Sequence, residues 1–156
     1  MNRIATLIAQ CKRAWKWPSE KKLQVANAYL AVSFVSASLG RRPVPDIARA
    51  LGVRLAGTDP SNSPPPSRAD DFTTPLWTVD AVYRHWPGDA SCLRRALVLG
   101  HLLRQHAPEL HLGVRHADEG LEAHAWLTVN GTPLLLATEN EAGGSGDYRP
   151  LSTLNR

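Results

Sequence analysis

The stretch CLRRALVLGHLLRQHAPELHLGVRHADEGLEAHAWLTVNGTPLL, residues 92–135, decides the fold. Its first part repeats apolar residues at spacings of three and four, which predicts a helix with one buried face. Residues 110–116 and 121–129 alternate apolar and polar side chains, which predicts two strands, and Asn130-Gly131 is a typical hairpin turn before a third strand at 132–138. The residues expected on the buried helix face are Leu93, Ala96, Leu97, Gly100 and Leu103. This order predicts an α+β fold in which a helix packs on an antiparallel sheet.

The chain divides around a proline-rich stretch. Residues 58–71 contain three consecutive prolines among Ser, Asn and Asp, which continue neither a helix nor an inner strand. We interpret them as a linker between a helical N-terminal segment at residues 1–57 and a second domain at 72–156.

Two helices are expected in the N-terminal segment. Ser19 is the expected cap of the first, which ends before Gly40, and Asp46 is the expected cap of a second at Ile47–Leu51. Apolar spacing predicts that the first helix buries Leu23, Ala26, Leu30, Phe34 and Ala37.

The uncharged run at 23–40 is flanked by Lys21-Lys22 and Arg41-Arg42. Its serines, Gln24 and Asn27 favour a buried helix over a membrane span, and a weak contact with a membrane surface is the alternative.

Composition limits the class of protein. The 156 residues are 43% hydrophobic and 21% charged, as in an ordinary soluble domain. The net charge of +4 is scattered rather than concentrated in a basic run, so it favours an acidic peptide or partner over a nucleic acid. The two cysteines, Cys11 and Cys92, form no zinc pattern. Four histidines recur at a spacing that no metal motif uses, namely His101, His106, His111 and His116. We therefore expect no metal and no cofactor. The N-terminus lacks the layout of a signal peptide, which predicts a cytoplasmic protein.

Cys92 and His124 are the candidate catalytic pair. Cys92 lies in the first turn of its predicted helix, where free N–H groups and the helix dipole favour a thiolate. His124 interrupts a strand of the sheet that this helix would cover, and alternation points it away from the buried side of Leu127. An imidazole near a thiol supplies the general base that a cysteine nucleophile needs. The alternative is that Cys92 is a small core residue.

Three neighbours of this pair have simpler interpretations. Arg94 and Arg95 are expected on the solvated face of the helix, with a contact to acidic substrate side chains as the alternative. Trp126 is expected to pack, and beside a catalytic histidine it would also shield the ion pair from water.

These residues resemble the transglutaminase-like cysteine peptidase domain of lasso-peptide biosynthesis B proteins. Four motifs of that family stand in order across residues 90–151. They are CLRR at 92–95, LGVR at 112–115, AHAW at 123–126 and YRPL at 148–151. The resemblance implies a papain-like fold with Cys92 as nucleophile and His124 as base.

The resemblance also implies a function. Members of the family remove the leader from a ribosomally made precursor peptide, with a leader-recognition domain that is either fused or separate and an ATP-dependent lasso cyclase as partner. Residues 1–57 show no three-stranded pattern, so we expect a separate leader-recognition protein here. The family's third catalytic residue is an aspartate about a dozen residues after the histidine, where this chain has Leu134–Leu136. The nearest replacements are Glu139, the first carboxylate after the strand, and then Asn140. A non-catalytic protein that holds the precursor or the cyclase, and an acyltransferase that uses the same pair, are the alternatives.

Overall fold

The computed structural model describes residues 18–57, 72–117, 120–134 and 149–150. Four helices precede the main strands within these ranges. They are α1 (Ser19–Ser38), α2 (Val44–Ala50), α3 (Thr73–His85) and α4 (Cys92–Leu102), with a 3₁₀ turn at Arg104–His106. The strands are β1 (Arg54–Leu55), β2 (Glu109–Ala117), β3 (Gly120–Val129), β4 (Thr132–Leu134) and β5 (Arg149–Pro150).

The sheet is built on the long antiparallel pair β2–β3. Leu110 lies opposite Leu127, and Gly113 lies opposite His124. The β3–β4 hairpin turns at Asn130-Gly131, where φ is 52° and 76°, as a type I′ turn requires. The predicted α+β class, the helix and the antiparallel pairing of the strands are therefore confirmed. Residues 135–138 of the predicted third strand lie outside the described residues.

Strand β1 was not predicted from the sequence. It pairs in parallel with the start of β2, so the sheet is mixed. Strand β5 pairs antiparallel with Gly113 and Val114 of β2. Because β3 occupies one edge of β2 along its length, β1 and β5 both lie along the other edge.

Helix α4 packs on β3 with the predicted face, since Ala96, Leu97 and Gly100 are buried. Gly100 permits a close approach. A Cβ placed there would lie 2.6 Å from Cγ2 of Val53 and 3.5 Å from Cδ2 of Leu127. The helix that begins with Cys92 is therefore held directly against the sheet.

Helix α1 packs on α3 and α4 with a different face from the predicted one. Leu23 is 70% exposed and Leu30 is 72% exposed, so the predicted buried face is wrong. The side chains buried in α1 are Ala28, Ala31, Val32, Val35 and Ser38. These are small residues, which let α1 lie close to its neighbours, and apolar spacing alone did not distinguish the two faces.

The predicted caps of the first two helices are also wrong. Pro18 and Pro43 occupy the N-cap positions, while Ser19 and Asp46 lie inside the helices. Proline fixes a φ that is compatible with helix entry, and its missing N–H is not needed there.

The predicted linker at 58–71 lies outside the described residues, and the proposed division into segments stays a prediction. Among the described residues, no helix is both long and apolar enough to cross a bilayer.

Candidate active site

Cys92 is the first residue of α4 and a free thiol. Ser91 precedes it as the N-cap, with extended backbone (φ −58°, ψ 155°). The first helical hydrogen bond runs from the N–H of Arg95 to the carbonyl of Ser91, at 3.0 Å. The N–H groups from Cys92 to Arg94 therefore precede the intrahelical bonding pattern. The half-buried Cys92 packs beside the core and lies where backbone donors point out of the helix.

The two arginines after Cys92 do not lie on a solvated face, so that expectation is wrong. Arg95 Nη1 lies 3.0 Å from Asp80 Oδ1, and the two side chains are 13% and 20% exposed. Arg94 Nε lies 3.4 Å from Asp89 Oδ2, and its Nη1 donates to Ser36 Oγ at 3.3 Å. These contacts tie the start of α4 to α3 and α1, because a guanidinium donates in several directions at once.

His101, in the last turn of α4, joins the C-terminal end of that helix to α1. Its Nδ1 lies 3.2 Å from the carbonyl oxygen of Leu51, and its Nε2 lies 3.2 Å from Oδ1 of Asn27. Since Asn27 meets His101 while Ser36 meets Arg94, the two helices run in opposite directions.

His124 lies in the middle of β3, and its ring is within 16° of parallel to the indole of Trp126, at 5.9 Å. His111 on β2 lies next to the same indole, at 5.3 Å and 11°. Nε2 of His111 also lies 2.9 Å from Oγ1 of Thr128. Trp126 is only 7% exposed, so it packs as expected. The sequence analysis missed the contact between His111 and Trp126. Alternation on β2 could have placed His111 on one face of the strand, but its position opposite Trp126 depends on the register of the two strands.

Burial changes the pKa of His111. Loss of hydration lowers the pKa of its imidazole from the ordinary range, and the nearby carboxylate of Glu109 partly offsets this. The neutral ring is therefore favoured.

The two faces of β3 have different neighbours. Ala125 and Leu127 belong to the core that α4 covers, as predicted. His124 and Trp126 alternate with them and so lie on the opposite face. None of the hydrogen bonds within the described residues joins Cys92 to His124. The assignment of this pair as catalytic stays a prediction.

Three of the four family motifs meet in adjacent strands. Gly113 of LGVR lies opposite His124 of AHAW on one side. On its other side, Gly113 lies opposite Pro150 of YRPL. Pro150, Gly113 and His124 therefore form one row across the sheet, although 37 residues separate Gly113 from Pro150 in the numbering. Glu139 and Asn140, the candidates for a third catalytic residue, lie outside the described residues.

Tyr83 is a second residue that the sequence analysis missed. It is buried on α3, and within the described part of the chain its hydroxyl oxygen has no hydrogen-bond partner. Burial raises the pKa of its phenol well above the ordinary range. The guanidinium of Arg95 lies 5.2 Å from the centre of its ring. Its proximity to Arg95 places Tyr83 close to the beginning of α4.

The fold agrees with a comparison with protein families. Residues 40–153, well over half of the chain, match the Transglutaminase-like superfamily, and the match contains both Cys92 and His124. No curated protein and no solved structure matches the chain. The superfamily includes cysteine peptidases and transglutaminases. The chain belongs to the Transglutaminase-like superfamily.

Proposed function

We propose that this protein is a cytoplasmic cysteine peptidase that removes the leader from a lasso-peptide precursor. One observation carries the proposal. Cys92 is the first residue of a helix that packs on a sheet of a transglutaminase-like domain, and His124 lies in the middle of that sheet. The order and spacing of CLRR, LGVR, AHAW and YRPL support the lasso assignment. Its partners would be the precursor, a separate leader-recognition protein and an ATP-dependent cyclase.

The proposed chemistry follows from these groups. His124 takes the proton of the Cys92 thiol, and the sulfur attacks the scissile carbonyl. Backbone N–H groups at the start of α4, including that of Cys92, donate to the oxyanion. The C–N bond breaks as the imidazolium returns its proton to the leaving amine. Water then hydrolyses the thioester, which releases the leader and regenerates the thiol. Glu139 is the proposed residue that orients His124.

The reaction requires Cys92 and His124 to come within hydrogen-bond distance. His124 lies on the face of β3 opposite to the one that α4 covers, so the pairing of the two residues is the step of the proposal that has to be tested first. Alkylation by iodoacetamide measures the pairing directly. Cys92 should react faster than free cysteine well below about pH 8. His124→Ala should slow Cys92 to the rate of free cysteine. His85→Ala, at an exposed histidine, is the matched control and should leave the rate unchanged. Equal rates in wild type and His124→Ala would show that no thiolate–imidazolium pair forms.

Peptidase activity is tested by mass spectrometry of the precursor incubated with this protein and the recognition protein. Wild type and Cys11→Ala should give two fragments whose masses sum to that of the precursor plus one water. Cys92→Ala should leave the precursor intact. Cleavage by Cys92→Ala at the wild-type rate would end the proposal. A product heavier than the precursor would indicate acyl transfer instead.

A non-catalytic role in binding the precursor is the second candidate. The observation that favours it is the stacking of His124 on the buried Trp126, on the face of β3 opposite to Leu127. In that case the precursor should bind at micromolar concentration and keep its mass, and Cys92→Ala should bind it equally well.

A further inference from the structure

Helix α1 exposes a regular row of side chains, here called the α1 seam. Between Leu23 and Ser38, every exposed side chain of the helix belongs to this row. The members are Leu23, Ala26, Leu30, Ser33 and Ala37. Their successive spacings are three, four, three and four residues, which is the pattern of a coiled-coil contact line. Leu23 and Leu30 are the two most exposed large hydrophobic side chains among the described residues, at 70% and 72%.

The α1 seam is suited to contact with another helix. Large side chains at Leu23 and Leu30 alternate with small ones, which leaves gaps into which a partner's side chains fit. The single hydroxyl in the row is already satisfied, because Ser33 Oγ donates to the carbonyl of Tyr29 at 2.9 Å. The row carries no charge. A partner that covers it therefore leaves no polar group of the seam without a hydrogen bond.

The family assignment does not account for this surface. The match to the superfamily begins at residue 40, after the last residue of α1. Arg94 and His101 hold α1 to the superfamily domain through its other faces. The α1 seam thus lies outside the part of the chain that matches the superfamily, and packing within the described residues leaves it uncovered.

The charges at the two ends of the seam indicate the kind of partner. Lys21 and Lys22 lie at the start, with Glu20 as one acidic neighbour, and Arg41 and Arg42 follow the end. A second copy of the chain would bring basic ends together in either orientation, which is unfavourable. A helix with acidic residues at both ends of its apolar face would be attracted instead.

The width of the seam argues against a membrane. A helix that lies on a bilayer buries a broad apolar face, whereas a line of first and fourth heptad positions is narrow. Here the line contains only two leucines, with alanine and serine between them.

We propose that the α1 seam binds an amphipathic helix of a partner protein, with leucine-type residues along its contact line and acidic residues at both ends. This inference does not depend on peptidase activity. It requires only the exposed row and its basic ends.

The probe is a stapled synthetic helix of about 21 residues, with leucine at the first and fourth heptad positions and glutamate in its first and last turns. Its binding to the full chain is followed by fluorescence anisotropy. The double variant Leu23→Gln/Leu30→Gln should bind at least about tenfold more weakly, since burial of one leucine is worth at least a factor of ten. Ala50→Gln is the matched control, because it introduces the same side chain at an exposed helical position outside α1 and should leave binding unchanged. Melting temperatures check that the variants are folded.

Charge is tested with a second probe in which lysine replaces every glutamate. The lysine probe should bind at least about tenfold more weakly at low salt, and the difference should shrink as salt screens it. In Arg42→Glu the glutamate probe should bind more weakly and the lysine probe more tightly than in wild type, so the difference between the two affinities should become smaller. Equal binding of the two probes, or unchanged binding by the leucine double variant, would overturn the proposal.

Two further measurements distinguish a partner helix from the two other possible occupants of the seam, a second copy of the chain and a membrane surface. Analytical ultracentrifugation should show that self-association, if present, is unaffected by Leu30→Gln. A wild-type dimer that this variant dissociates would assign the seam to a second copy. Sedimentation with phosphatidylcholine vesicles containing phosphatidylglycerol should leave the protein in the supernatant. Co-sedimentation that Leu23→Gln/Leu30→Gln abolishes would assign the seam to a membrane surface. Either of these two outcomes would refute the partner helix.

Discussion

Gly100→Ala should destabilise the protein, although alanine is the better helix former. In an exposed helix the substitution would gain about 1 kcal/mol. Here the new Cβ would lie 2.6 Å from Cγ2 and 3.2 Å from Cγ1 of Val53, well inside the ordinary carbon–carbon separation of about 3.5–4.0 Å. One of the two groups must move by about 1 Å to restore that separation.

Val53 cannot move away easily. It is 3% exposed, and its backbone N–H donates to the carbonyl of Ala48 at 2.9 Å. The next residue, Arg54, is held by the carbonyl of Pro108 at 3.0 Å. Overpacking of this kind costs about 1–3 kcal/mol. After the gain in helix propensity, we expect a loss of up to about 2 kcal/mol in the free energy of unfolding, or up to about 8 °C in Tm.

Urea and thermal denaturation measure this loss, and a double-mutant cycle identifies its cause. In Val53→Ala both γ carbons are gone, so the methyl group of Gly100→Ala has room. The double variant should therefore be more stable than the sum of the single effects by about 1 kcal/mol or more. If Gly100→Ala alone raised stability by the full helix propensity, the close contact between α4 and Val53 would be refuted.

Three further predictions concern buried polar groups. Tyr83→Phe should leave stability unchanged or raise it by up to about 1 kcal/mol, because the removed hydroxyl has no partner among the described residues; a larger loss in urea denaturation would contradict this. Burial lowers the pKa of His111 in the folded protein below the ordinary value of 6.5. The stability that the neutral imidazole contributes is therefore fully present above pH 6.5 and is lost as the pH falls through the pKa of the folded protein. Tm should therefore fall less steeply between about pH 7 and pH 5 in His111→Gln than in wild type, and parallel curves would contradict the assignment. Asp80→Asn should lower the free energy of unfolding by about 1–3 kcal/mol, because it weakens the largely buried contact with Arg95. Asp46→Asn, in an exposed ion pair with Arg49, should change it by less than about 1 kcal/mol. Equal effects of the two substitutions in urea denaturation would show that burial does not strengthen the contact between Asp80 and Arg95.

Local sequence patterns predicted the elements whose apolar residues recur regularly. Helix α4 and strand β3 were predicted from the helical and strand spacing of their apolar residues, although α4 and the end of β3 are buried on both faces. Asn-Gly fits the turn between β3 and β4. Helix α1 has two apolar faces. The bulkier residues, including Leu23 and Leu30, indicated the wrong one, because burial was decided by how closely α1 fits α3 and α4.

Strand pairing over long distances was harder to predict. Strand β1 has only two residues, and its partners in β2 lie 55 positions further along the chain. Its existence depends on that pairing and not on a local pattern. For the candidate site, sequence placed Cys92 in the first turn of its helix and His124 on the face opposite to Leu127. The row of Pro150, Gly113 and His124 required the register of three strands, which no local pattern contains.

The contact between Arg94 and Ser36 has a consequence for regulation. It joins the helix that begins with Cys92 to the helix that carries the α1 seam. If the proposed substrate binds near Cys92 and its affinity depends on this contact, a helix bound at the seam that shifts the contact is coupled to the substrate, and thermodynamic linkage makes the effect reciprocal. The factor by which a bound helix tightens the substrate is then the factor by which the substrate tightens the helix. Such coupling would let the protein retain its partner while substrate is bound and release it after the product leaves.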